Sequence, residues 1–565
     1  MLIYDFEVFK YDWLVVIADT DKGEFIQIVN DPDKLKSFYE EHKNDIWIGY
    51  NSNHYDQYIL KGILLDFNPI EISDFIIKEE KAGWQYSNLF RSIRLYNYDC
   101  ATRTDRGLKA FEGFMGNNIK ETDVDFDIDR KLTEDEIQQT LKYCRHDVEQ
   151  TMEVFIERKS DFEAHIGLIK MFNLPLSYIS KTKVQMLASI LEAQKAKYDD
   201  EFDICFPKYL KLNKYQYVAD WFANPDNHSY EKQLVTTIAG QEFTFAWGGV
   251  HSALPKYHSK GYFINMDVAS LYPALMINNN LLSRSCNPSK FKDIVDLRLK
   301  YKAEGNPLHK VLKPAINGTY GAMKDKNNPL YDPRQANNVC IHGQLSLLML
   351  VEMLEEVSKI IQTNTDGILI QMPENGDPDT FWALVDDIAY EWEQTTGLNL
   401  EFDEYVEVFQ KDVNNYIMVA LDGKIKSKGA YVKKLSKLDY DLPIVNKAMV
   451  DYMVKGIPVE KTILECNDLI EFQMIAKTSN KYTHIEHGGK KLKEKCVRIF
   501  ASKDLSDGGV VKISASTGRP NKISNSPEHC FIWNDEVLGV KCPDKLDKHW
   551  YVTLAKARLE DFGII

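Results

Sequence analysis

Residues 260–277 read KGYFINMDVASLYPALMI. Tyr262, Phe263, Ile264 and Met266 make an apolar strand that stops at Asp267, and Ser270, Leu271, Tyr272 and Pro273 follow as a turn. Taken alone, this is a strand running into a turn with a tyrosine packed beneath it. Downstream, KPAINGTYG (313–321) has helical spacing, so Lys313, Asn317 and Tyr320 fall on neighbouring turns and form one stripe. QTNTDGILI (362–370) is a hairpin-like strand pair around a tight turn, preceded by an apolar-striped helix, QLSLLMLVEMLEEVSKII. Between them, DLRLKYK (296–302) sets Arg298 and Lys302 one helical turn apart.

The chain opens MLIYDFEVFKYDWLVV. Asp5 and Glu7 share one face of a strand while Phe6 points to the other. Two like charges on one face repel unless water or a cation separates them. The wet face of an edge strand is one reading, and half of a metal site is the other. The second needs more carboxylates. NSNHYDQYI places Asp56 near the start of a helix, and YCRHD places Tyr143 and Asp147 four apart on a helix capped by Thr133. Asp5, Glu7, Asp56 and Asp147 could then surround two hard divalent cations, Mg2+ or Mn2+, about 4 Å apart, with Tyr143 orienting a water.

The bulk numbers bound the alternatives. A chain of 565 residues is too long for one core and predicts three to five compact units. Hydrophobic content of 44% with 12% aromatic excludes disorder. No apolar run reaches the length of a membrane span, and the first residues lack a secretory leader's basic start. The nine cysteines are scattered without a CxxC pair, which argues against a zinc ribbon or a disulfide framework. The net charge of −15 speaks against nucleic acid only if local patches are ignored. From Lys424 to Arg498 there are 16 Lys/Arg against 9 Asp/Glu.

DxE, Nx3[FY]D and Yx3D, in this order over the first 150 residues, resemble the proofreading 3′–5′ exonuclease domain of DNA polymerases. The resemblance implies metal binding by Asp5, Glu7, Asp56 and Asp147, water orientation by Tyr143, and contact of Asn51 with single-stranded substrate. IKETDVDF resembles a lysine segment of small phage polymerases, which would make Lys120 a phosphate ligand; a solvated lysine is the alternative.

MDVASLYP resembles the Dx2SLYP motif of family B DNA polymerases. In that family's terms Asp267 binds metal, the turn's N–H groups face a triphosphate, and Tyr272 leaves no room for a 2′-hydroxyl. KPAINGTYG resembles Kx3NSxYG, with Gly318 in place of Ser; it implies Lys313 on the triphosphate and Asn317, Tyr320 and Gly321 around the incoming nucleotide. Arg298 and Lys302 become further phosphate ligands, a solvated helix face being the alternative. QTNTDG resembles YxDTDS, with Asp366 as metal ligand and Gln362, Asn364 and Gly367 replacing Tyr, Asp and Ser. FAWGGVHSAL resembles a YxGG segment with Ala246 in place of Tyr. VNNYIMV resembles KxY: Tyr416 matches, Asn414 replaces the lysine, and Lys411, or Lys426 and Lys428, would supply the charge.

The implied fold is α/β and α+β multidomain, a ribonuclease H-like exonuclease domain plus a right-hand polymerase. The implied boundaries are 1–165 for the exonuclease, 166–250 for a connecting region, 251–288 and 325–435 for the palm, 289–324 for the fingers and 436–565 for the thumb. The separations of 46 positions from Asp267 to Lys313 and 53 from Lys313 to Asp366 leave no room for the two insertions of protein-primed phage relatives. That predicts ordinary primer use and modest processivity, and an exonuclease starting at residue 5 predicts no preceding domain. The implied function is template-directed DNA synthesis from dNTPs with 3′–5′ proofreading, in phage or prophage replication inside a bacterial cytoplasm. The implied partners are primer-template DNA, dNTPs and a processivity factor or helicase. The competing readings are mainly a nuclease with a weakened polymerase site, and a non-catalytic DNA-binding scaffold.

Overall fold

Leu2–Val8 (β1) is buried along almost its whole length: Leu2, Tyr4, Phe6 and Val8 share one face and pack into a single apolar cluster, and β1 lies in the middle of its sheet. It therefore cannot be the wet edge strand that its two acids allowed. Trp13–Asp19 (β2) pairs antiparallel with β1, Glu24–Val29 (β3) antiparallel with β2, and Ile46–Gly49 (β4) parallel with β1. Tyr96–Asp99 (β5) extends the sheet in the order β3-β2-β1-β4-β5, the ribonuclease H-like arrangement. The helix Glu134–Glu157 covers it, started by a capping box in which Thr133 and Glu136 satisfy each other's backbone N–H groups.

The structure is a computed structural model and describes residues 1–102 and 106–565. It has two compact units. The first holds residues 1–181, 435–444 and 463–551. Its later part adds a three-stranded sheet built on Cys496–Ala501 and a four-stranded one built on Tyr482–His487. Arg498 fastens these to the earlier part. Its guanidinium is fully buried and donates to Gln473 Oε1 and to the carbonyls of Trp533, Asp535, Gly113 and Asn117, at 2.7–3.2 Å.

The second unit holds residues 182–434, 445–462 and 552–565. Its nine strands are Gln233–Ile238 (β6), Gln241–Ala246 (β7), Gly249–Ala253 (β8), Tyr257–Val268 (β9), Lys359–Asn364 (β10), Gly367–Gln371 (β11), Leu400–Asp412 (β12), Asn415–Ala420 (β13) and Ile425–Lys428 (β14). They run in the order β14-β13-β12-β9-β11-β10-β8-β7-β6, antiparallel throughout. The buried helix Pro333–Leu354 underlies this sheet, and Trp392 donates to its Ser346 carbonyl at 2.8 Å.

Two helices, Pro288–Ala303 and Leu308–Lys324, are broken where EGNP interrupts the pattern. Gly318 has a packing reason: a Cβ there would lie 2.5 Å from Val184 Cγ2. The helix expected over 344–361 begins earlier and ends at Leu354; Lys359–Asn364 is strand. Residues 436–565, expected as one domain, are divided between the two units. Among the described residues no helix is long and apolar enough to cross a membrane.

Candidate active sites

In the first unit, Asp5 and Glu7 leave one face of β1, with carboxylate oxygens within 4.8 Å of each other and of the Cys144 thiol. Cys144 donates to the Asp5 carbonyl at 3.3 Å, tying the helix Glu134–Glu157 to the strand. Asp56 opens the helix Asp56–Leu64 and accepts the Phe6 N–H at 3.1 Å, so β1 itself fixes its position. Asp147 accepts from Lys109 Nζ at 2.7 Å, and the same ammonium reaches Glu112 Oε2 at 3.2 Å. Tyr143 donates to Glu121 at 3.0 Å, and its ring centroid lies 4.5 Å from Lys109 Nζ.

The four carboxylates outnumber the positive charge that Lys109 brings to them. Burial, then the charges of Asp56 and Glu7, push Asp5 well above the usual carboxylate range. Burial, then Asp147 and Asp56, do the same to Glu7. Burial lifts Asp56 to about 7, and Asp147 to about 6 against the pull of Lys109. Four crowded carboxylates sharing one ammonium are an oxygen donor set that fits hard divalent cations. Asn51 has φ +61° and gives its N–H to Asp99 at 2.8 Å, while Lys120 pairs at the surface with Asp535 at 2.5 Å.

The second unit carries a cleft of about 880 Å³ lined by Asp267, Tyr272, Arg298, Lys313, Asn317 and Asp366, among others. Asp267 ends β9 directly opposite Gly367 of β11. A Cβ at Gly367 would stand 2.1 Å from Asp267 Oδ1, so the glycine makes room for that carboxylate. Asp366 occupies the turn between β10 and β11, and its carbonyl accepts the Val268 N–H at 2.7 Å, locking the two acids together. Thr365 in this turn has φ +51°, a strained conformation for a β-branched residue, held by its N–H on Val250 O at 3.0 Å. Burial, then the charge of Asp267, raises the Asp366 carboxyl above its ordinary range. Lys426 Nζ lies 3.6 Å from Asp267 and 3.5 Å from Asp403. Lys428, opposite Tyr416 on β14, also lines the cleft, as does Tyr416.

Arg298 is almost fully buried; it donates to Ser270 Oγ at 3.2 Å, and its Nε–H has no partner among the described residues. Tyr272 packs against Tyr320 with ring centroids 4.4 Å apart and the rings tilted by 38°. Tyr320 thus backs Tyr272, while its stripe neighbours Lys313 and Asn317 line the cleft itself. Lys324 reaches from the Tyr320 ring to the Trp247 carbonyl at 2.8 Å, joining FAWGG to this wall.

No family model matches the chain. Three archaeal proteins named DNA polymerase 1 are similar to it in sequence. That of Sulfurisphaera ohwakuensis is 26% identical over 201 residues, 35% of this chain and 22% of the relative. That of Sulfolobus acidocaldarius is 27% identical over 204 residues, 35% of this chain and 22% of the relative. That of Saccharolobus solfataricus is 26% identical over 298 residues, 43% of this chain and 32% of the relative. The chain resembles family B DNA polymerases. It matches less than a third of the length of each of these relatives. The solved structure of the family B DNA polymerase from Pyrobaculum calidifontis aligns with 99% of this chain and 77% of its own, at 16% identity and a TM-score of 0.44.

Sequence reasoning missed Lys109, Glu112 and His146. Glu112 is fully buried, and His146 Nε2 lies 3.5 Å from its Oε2. The available signal was two charges, Lys109 and Glu112, one turn apart inside the otherwise apolar GLKAFEGFM.

Proposed function

We propose that this relative of family B polymerases copies a DNA template by extending a primer with dNTPs, and removes nucleotides from a 3′ end at a second centre. One observation carries the reading: each compact unit has its own carboxylate centre, built from the residues that the motif order singles out. Asp267 and Asp366 would hold two Mg2+ or Mn2+ ions for synthesis, and Asp5, Glu7, Asp56 and Asp147 two for degradation. Bound there, such ions make an oxygen nucleophilic at neutral pH and neutralise charge on the leaving oxygen.

The chain's own residues do the rest. Lys313 and Arg298 bind the triphosphate, and the unpaired Nε–H of Arg298 is a donor ready for one of its oxygens. Tyr272, braced by Tyr320, closes the space a 2′-hydroxyl would need, and Asn317 lines the nucleotide's path. Lys426 and Lys428 place positive charge beside Asp267, where the lysine of KxY is missing, and Tyr416 supports the primer end. Tyr143 orients the attacking water of the exonuclease centre, with Asn51 and Lys120 on the strand entering it. Lysines of the stretch 424–498 hold DNA by its phosphates without reading bases. Residues 1–165 act as exonuclease, 166–250 as connection, 251–288 and 325–435 as palm, 289–324 as fingers and 436–565 as thumb. The setting we favour is phage or prophage replication in a bacterial cytoplasm, with a processivity factor or helicase as partner.

A 5′-labelled primer annealed to a longer template, incubated with Mg2+, tests this. It should lengthen with dNTPs and shorten without them. Shortening in both cases would favour a nuclease with a weakened polymerase site, and no change in either would overturn the proposal.

A further inference from the structure

We infer that a basic cleft in the first unit, lined by Arg106, Lys477, Lys481 and Lys512, binds the phosphates of a single DNA strand. That the strand is DNA rests on the function proposed above; the cleft itself does not. It encloses about 760 Å³ between the strand Met474–Lys477, the loop 478–481, the strand Val510–Ser514 and Arg106. Among the described residues its lining has four cations and no acid, in a chain of net charge −15.

Three exposed lysines elsewhere in this unit are neutralised, Lys493 by Asp123, Lys120 by Asp535 and Lys437 by Glu157. None of the four cleft cations is in an ion pair among the described residues. Two are steadied by rings instead. The Arg106 guanidinium lies 4.9 Å from the Phe114 centroid, and Lys512 Nζ lies 5.5 Å from that of Tyr482. Gly107 allows the crowding, because a Cβ there would stand 2.5 Å from Lys477 Nζ. Uncompensated like charges held this close favour an anion between them.

The size and position of the cleft point to one strand. A volume of this order suits a small ligand or a few nucleotides and cannot seat a duplex. Ile475 and Ile523 give it an apolar floor for sugars and bases, beside Thr478, Ser479 and Asn480 as hydrogen-bonding groups. The Arg106 carbonyl accepts the hydroxyl of Tyr50, the neighbour of Asn51. Three residues beyond Arg106, Lys109 bonds Asp147 of the carboxylate centre at 2.7 Å. A strand whose end lies at those carboxylates therefore continues into the cleft.

Fluorescence anisotropy of a labelled dT oligonucleotide of about 20 nucleotides, and of a duplex of equal length, both in EDTA over a salt series, tests this on the full chain. The variant Lys477→Gln/Lys481→Gln/Lys512→Gln should bind the oligonucleotide about tenfold more weakly. Its log–log salt slope should be shallower by about 2, at roughly 0.7 per lost single-strand phosphate contact. Duplex affinity should change less than about threefold. The variant Lys22→Gln/Lys43→Gln/Lys78→Gln removes the same charge from ion-paired surface lysines and should leave the oligonucleotide's affinity unchanged. If the triple cleft variant fails to fold by circular dichroism, Arg106→Gln alone serves, with a slope change of about 0.7. An unchanged slope, or an equal loss for duplex and single strand, would overturn the proposal. The assay involves no chemistry, so a parent protein that neither extends nor shortens a primer would refute the proposed function and leave this result readable.

Discussion

Gly367 and Asn364 flank the strained turn that carries Asp366, and each departs from the pattern its neighbours follow. The structure explains the glycine, since any Cβ would collide with Asp267 as placed. Asn364 offers a neutral amide oxygen, a weaker ligand for a hard cation than a carboxylate, whereas Asp366 is a carboxylate lining the cleft with Asp267. Asp366→Asn should therefore reduce synthesis at least 100-fold, the loss of about 3 kcal/mol of charge stabilisation. Asn364→Asp should stay within a few-fold of the parent in single-nucleotide insertion. Equal collapse from Asn364→Ala and Asp366→Asn would put the ligand elsewhere. The carboxylates of the first unit make a second prediction, on pH. A carboxyl with a higher pKa folded than unfolded holds its proton more tightly in the native state, so its contribution is present at low pH. It is lost as pH rises from the ordinary value near 4 through the folded values, about 6 for Asp147 and about 7 for Asp56. In EDTA this cluster should lower the Tm between about pH 5 and 8, and Mg2+ should restore more at the upper end; Asp56→Asn should weaken both trends. A scanning-fluorimetry series in which Mg2+ adds equally at both ends would contradict the crowding described.

At the scale of elements, the carboxylates were legible because a strand alternates faces and a helix repeats every four residues, so Asp5 with Glu7 and Tyr143 with Asp147 are local facts. What lies between them was not. Lys109 and Glu112 come from a helix without a motif, and their role depends on where tertiary packing sets it. Lys359–Ile361, the start of the strand Lys359–Asn364, read as the end of a helix because a short buried apolar run has no periodicity of its own. The return of Arg498 to Gly113 spans 385 positions, beyond any local pattern. That guanidinium is nevertheless an element-scale fastener. It satisfies five acceptors, those on Gln473 and Gly113 in fully buried bonds and the rest in part-buried ones, and it fixes the loop that follows the Lys109 helix. Arg498→Met should cost more than about 3 kcal/mol in urea unfolding, because five acceptors lose their donor, those on Gln473 and Gly113 away from water. A cost below about 1 kcal/mol would mean that the two parts of the unit hold together without it.

For the whole molecule, the two-unit division sets the largest expectations. On the function proposed above, retention on DNA falls to phosphate contacts, which weaken steeply with salt. Products made in a single encounter, in the presence of a DNA trap, should be short and shorten further as salt rises. Lys490→Glu with Lys491→Glu, on an exposed strand, should shorten them again with little change in single-nucleotide insertion. Kilobase-long products at moderate salt, without any added protein, would contradict this. The central claim is that each unit carries its own chemistry. Its most direct test is one gel comparing Asp5→Ala/Glu7→Ala with Asp366→Asn on the same labelled primer-template, with and without dNTPs. The first variant should extend the primer and no longer shorten it, and the second should shorten it and no longer extend it. Loss of both activities in either variant, with the fold intact by circular dichroism, would contradict two independent centres.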